Sequence, residues 1–182
     1  MKISTSQLLD ELKTKTEDHV QYAEKLLELS DEKLNSRVSN DSWSVLECFE
    51  HLNRYGNFYI PEIIKRISSS ETSSTSVFKS GILGNYFAKS MFPREKLNKM
   101  KTFKSMDPIN SQLDKNVVKE FIKQQNQLIE LLQKANHVDL NKVKTGISIS
   151  KLIKLRLGDT FRFIISHNER HIQQAERILM NL

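Results

Sequence analysis

The sequence predicts an all-α protein, a four-helix bundle in which a long crossover separates the second helix from the third. Three observations carry this. Four stretches repeat apolar residues at steps of three and four, the spacing that lines one face of a helix. Only five Gly and three Pro interrupt the 182 residues. The segment between the second and third periodic stretches is long, mixed and without a continuous helical pattern. A hydrophobic content of 38% in a chain of this length fits one domain over residues 1–182.

The first helix, about 5 to 30, places Leu8, Leu9, Leu12, Val20, Ala23, Leu26 and Leu27 on one face and stops in the polar stretch Ser30 to Asn40. The second opens at Ser42-Trp43-Ser44, where Ser44 followed by Glu47 has capping-box spacing, and continues through Val45, Phe49, Leu52, Ile60, Ile63 and Ile67. Pro61 lies inside this run and predicts a bend, because it lacks an N–H and crowds the preceding turn. Residues 68–76 (SSSETSSTS) read as a loop. The crossover, Val77 to Pro108, holds Phe78, Ile82, Leu83, Tyr86, Phe87, Met91 and Phe92, so it should contain short helical turns and pack on something. Its apolar residues in 77–92 either cover a pocket or form a homodimer contact. The third helix, about 111 to 135, carries Leu113, Val117, Phe121, Leu128, Leu131 and Leu132; after a connector containing Gly146, Gly158-Asp159 opens the fourth.

Charge and cysteine content narrow the function. The net charge of +6 is concentrated in two segments: Lys79 to Lys104 carries +6 and Lys142 to Arg162 carries +5, which leaves the remainder at −5. These segments either surround a mouth that attracts an anionic ligand or are solvated loop charge. No helix-turn-helix, zinc-finger or RNP pattern accompanies them, which disfavours nucleic acid as a partner. No membrane span and no signal-peptide apolar region are evident, so the expectation is a cytoplasmic protein. The single Cys48 excludes an intramolecular disulfide and a multi-cysteine zinc cluster.

On the fourth helix, Ile164, His167, His171, Ala175 and Ile178 follow one line that should face the core. A buried imidazole without partners costs roughly 1 to 3 kcal/mol, and histidines four apart sit about 5 to 6 Å apart at Cβ, close enough to share an ion. His51, beside Cys48, Tyr55 and Tyr59 on the second helix, is the natural third member. If the second and fourth helices run parallel, as an up-down order implies, the three lie at comparable heights. The competing reading is core histidines bonded to backbone carbonyls. His19 and His137 have no such companions and read as surface or hydrogen-bonded residues.

Trp43-Ser44 leading through Glu47 to His51-Leu52, and HNERHIQQAERIL at 167–179, resemble the DinB-like superfamily of four-helix metalloproteins. Lys101-Thr102-Phe103 ahead of Pro108, and Leu157-Gly158-Asp159, resemble further segments of it. The superfamily includes metal-dependent hydrolases of the YfiT type and the bacillithiol and mycothiol transferases. The resemblance implies that His51, His167 and His171 are metal ligands, and it leaves the reaction open.

Three imidazoles suit one divalent transition metal, Zn, Ni, Fe, Co or Mn, with positions left open for catalysis or ligand capture. A hydrolase needs a base, for which Glu47 is the best-placed carboxylate, although a capping role explains it too. Gln174 either bonds a ligand or water near the metal or is a polar bundle edge. The expectation is an enzyme acting on a small molecule, a hydrolase or a low-molecular-weight-thiol S-transferase with an anionic thiol. The alternative is a non-catalytic binding or interaction module whose metal is structural or absent.

Overall fold

The computed structural model describes residues 1–92 and 102–182. The protein is mostly helical, with elements β1 (Lys2–Ser4), α1 (Thr5–Leu26), α2 (Asp31–Asn35), α3 (Val45–Ser68), β2 (Val77–Lys79), α4 (Ile82–Met91), α5 (Asn116–Ala135), β3 (Lys144–Ile147), β4 (Ser150–Arg156) and α6 (Leu157–Met180). Among the described residues no helix is long and apolar enough to cross a membrane.

The four long helices are those the apolar periodicity marks, with shifted ends. α1 stops at Leu26 because the chain tightens: the N–H groups of Leu27, Glu28 and Leu29 reach back three residues, to Glu24, Lys25 and Leu26. The polar stretch after it holds a short helix capped by Ser30, whose Oγ accepts from Lys33 N–H, and this buries Leu34. α3 begins with the capping box that Ser44 and Glu47 predict, both bonds present, and runs on through Pro61. α5 starts five residues later than its apolar pattern suggests, because Asp114 bonds the Asn116 N–H and holds the preceding chain in a turn.

Two small antiparallel sheets depart from an all-α fold. β1 pairs with β2, setting Ile3 opposite Phe78. The connector around Gly146 is a hairpin in which β3 buries Thr145 and Ile147 while Lys144 is exposed, the two-residue alternation of a half-buried strand. Gly158 begins α6 directly over Phe78: a Cβ there would lie 2.6 Å from Phe78 Cε2. Gly158→Ala should therefore lower stability by about 1 to 3 kcal/mol, the usual cost of overpacking, read as a lower urea midpoint with an unchanged slope.

α1 packs on α5 and α6, α3 packs on α5 and α6, and α4 lies on α6 and β4. Ring contacts pair Tyr59 with Phe163, Tyr55 with His167 and His51 with His171, so numbers rise along α3 as they fall along α6. These helices are antiparallel, which corrects the parallel arrangement expected of an up-down order. The cause lies in the long connection after α3: Asn53 bonds Val117 and Asn57 bonds Gln124, so α5 runs parallel to α3 rather than back along it. The crossover contains α4 and a 3₁₀ turn, Lys104–Met106. Arg94, Lys96, Lys99 and Lys101, members of the first basic segment, lie outside the described residues, as does the start of the Lys101-Thr102-Phe103 segment.

Candidate metal centre

α3 and α6 bring His51, His167 and His171 together so that one ring nitrogen from each lies within 4.8 Å of the others. Their rings are 4.6 to 5.0 Å apart, and His51 Nε2 is 3.2 Å from His167 Nε2. The α6 line that faces the site is Phe163, His167, Arg170, His171 and Gln174, one edge of the apolar stripe and not the line through Ile164 and Ala175, which stay in the core.

Two of the rings are oriented by acceptors on their far side. His51 Nδ1–H donates to the Met106 carbonyl at 2.6 Å, and His171 Nδ1–H donates to Gln174 Oε1 at 2.9 Å. Each bond leaves an Nε2 lone pair aimed at the shared centre, the arrangement in which a partner behind the ring fixes tautomer and direction for a metal in front. His167 Nδ1 is buried with no hydrogen-bond partner among the described residues. Three converging neutral imidazoles with no carboxylate among them fit a divalent transition ion.

Burial, above all, pushes His51 down to about 4, only partly opposed by its bond to Met106. Burial and then the neighbouring His51 push His171 down to about 3. His167 is lowered well below the ordinary value of 6.5, by burial and then by His171 and His51. All three are neutral at pH 7, as ligands must be. An unfolded chain protonates these rings below about pH 6.5, so it binds more protons than the folded one down to about pH 4 at His51 and about pH 3 at His171. Stability of the metal-free protein therefore rises with pH across that window and is level above it. At about 1.4 kcal/mol per pKa unit, unfolding at about pH 4.5 should cost on the order of 2 kcal/mol less than at pH 7 for each of His51 and His171. Urea titrations at both pH values, compared with His51→Gln, check this.

The histidines border a cavity of about 1030 Å³. Trp43 stands 4.7 Å from the His51 ring and 5.7 Å from that of His171, fixed by an Nε1–H bond to Asp107 at 3.1 Å. Gln174 both lines the cavity and holds His171, so it is part of the site. Glu47 is not: one carboxylate oxygen accepts from Ser44 N–H at 2.8 Å, the other pairs with Arg37 at 2.6 Å, and the side chain is fully buried away from the cavity. Its capping duty consumes it. Cys48 packs in the apolar core around Phe49 and Phe121. His19 is buried and bonds Glu169 through Nε2 at 2.9 Å, while His137 is exposed.

The basic segments contribute less to the cavity than their charge suggests. Lys104 is the described cation from them in its lining; the second segment supplies Ile147, Ile149 and Leu155. Arg156 donates to the Lys79 carbonyl, and Arg162 is buried against Asp159 and Asn85. The Met106 carbonyl is a participant that side-chain patterns miss, because a backbone carbonyl carries no sequence signal; Phe163, four residues before His167, shares its helix phase.

A family model of the DinB superfamily matches residues 15–175 of the chain. The chain belongs to the DinB superfamily. The match spans every residue of the histidine cluster and every described lining residue of the cavity of this superfamily member. Comparison with curated proteins and with solved structures finds no match.

Proposed function

We propose that this chain is a single-domain four-helix-bundle enzyme, its crossover forming one cavity wall, that acts on a small molecule with one divalent metal held by His51, His167 and His171. The observation that carries the reading is that three imidazoles, two of them oriented by acceptors behind the ring, converge at the wall of a cavity of about 1030 Å³. A structural ion needs no such space beside it, and structural sites are closed by four ligands, so the cavity weighs against a staple. Zn, Ni, Fe, Co or Mn held there would supply Lewis acidity and lower the pKa of a bound water or thiol, which suits hydrolysis or transfer of a low-molecular-weight thiol.

The chain's own residues then have definable tasks. Met106 and Gln174 keep the rings aimed, and the aromatic walls exclude bulk water. Tyr55 lines the cavity, its ring 5.0 Å from His51 and 4.5 Å from His167. Burial raises its pKa, so the phenol stays protonated and can donate to a substrate oxygen. With Glu47 engaged in its cap, no carboxylate is assigned as base.

Metal-loaded protein assayed against ester, amide and thiol-plus-electrophile panels tests this. Turnover by the wild type that disappears in His51→Ala and His171→Ala is the expected result. Turnover that survives both substitutions contradicts it.

A further inference from the structure

The cavity changes chemistry in steps of one helical turn. At one end are Trp43, Gln174 and the charged lining residues Asp41, Lys104, Asp107 and Arg170. Asp107 accepts from Trp43 Nε1–H, Lys104 and Asp107 flank Met106, whose carbonyl holds His51, and Asp41 lies two residues before Trp43, so these charges gather on the Trp43 side of the histidines. Beyond His167 the charged lining residues end. Phe163 stacks on His167 at 5.9 Å, Tyr59 lies 5.7 Å from Phe163, and Phe87, from α4, lies 6.4 Å from it. Met91, Ile147 and Leu155 complete an uncharged chamber. The Tyr59 hydroxyl is turned to the hairpin, where it accepts from Ser148 N–H at 3.4 Å.

We infer that the substrate is amphiphilic: its hydrocarbon body occupies the chamber of Tyr59, Phe87, Met91, Ile147, Leu155 and Phe163, and its polar, reacting end lies at the three histidines. The placement of the reacting end rests on the metal reading above; the chamber does not. A small polar thiol or ester alone would leave this space empty of solute, and apolar walls of this extent gain from contact with hydrocarbon. Each buried methylene should strengthen binding about threefold to fourfold.

The test is calorimetric titration of the zinc-loaded full-length chain with aceto-, butano-, hexano- and octanohydroxamate, whose shared head group binds metal while the tail lengthens. In parallel, 1-octanol is titrated into metal-free protein in the same calorimeter. Affinity should climb by that factor per methylene from butano- to octanohydroxamate, and 1-octanol should bind. Ser90→Trp, which adds bulk from the cavity-lining face of α4, should flatten the series. If that variant does not fold, Ser148→Phe fills the chamber from the hairpin side. A series that is flat in the wild type while acetohydroxamate still binds overturns the chamber and leaves the metal reading intact. Failure of every hydroxamate, with 1-octanol bound and displaced by Ser90→Trp, upholds the chamber and overturns the metal reading. Binding of neither probe overturns both.

Discussion

Asp159→Ala should unfold the protein at markedly lower denaturant, with a loss of about 3 to 5 kcal/mol, the usual cost of removing one partner from a buried ion pair. Asp159 is fully buried at the first turn of α6, and Arg162 is buried beside it. One oxygen accepts from Ser80 Oγ and from Arg162 Nη1 at 3.1 Å; the other accepts from Gly81 N–H at 2.8 Å. Removing the carboxylate leaves the guanidinium, among the described residues, with the Ser80 and Asn85 oxygens, while the Gly81 N–H loses its acceptor. The same contacts tie the β2–α4 segment to α6. Gly84 lies so close that a Cβ there would sit 2.3 Å from Asp159 Oδ2. Because α4 carries Phe87 and Met91 into the cavity wall, the variant should also bind 1-octanol more weakly under conditions where it remains folded. Urea denaturation followed by circular dichroism reads the stability; a loss under about 1 kcal/mol, ordinary for a surface substitution, would contradict the buried-pair account.

His171→Ala and Gln174→Ala should weaken metal binding by different amounts. Gln174 holds His171 Nδ1, so its removal should cost about tenfold to hundredfold, the range for a partner behind a ligand. His171→Ala removes a donor of the trio outright and should cost more than the upper end of that range. The ordering is the informative part, since a histidine that merely packs in the core would make neither change matter. Competition with a chromogenic chelator at fixed pH, where all three rings are neutral, measures both.

How much was legible in sequence follows from the range of each interaction. The Ser44–Glu47 capping box needs residues three apart, and the structure contains it as spaced. The convergence of His167 and His171 likewise follows from a local four-residue step. Nothing local sets the direction of α3 against α6; that depends on how the long connection returns the chain, and an up-down order alone implies the opposite sense. The hairpin escaped because β3 and β4 are short and rich in lysine, so their alternation is weak beside the helical patterns. Asp159 looked like a helix start because its partners Ser80 and Gly81 lie 79 and 78 residues away in sequence. The Met106 carbonyl, which orients His51, is invisible to any reading of side chains.

The most direct test is elemental analysis after reconstitution. Purified wild-type protein incubated with excess zinc or nickel and then desalted should retain about one equivalent of metal, and His51→Ala, His167→Ala and His171→Ala should each retain far less, as loss of one of three ligands requires. No retained metal in the reconstituted wild type, or retention equal to that of the wild type in all three variants, would contradict the account.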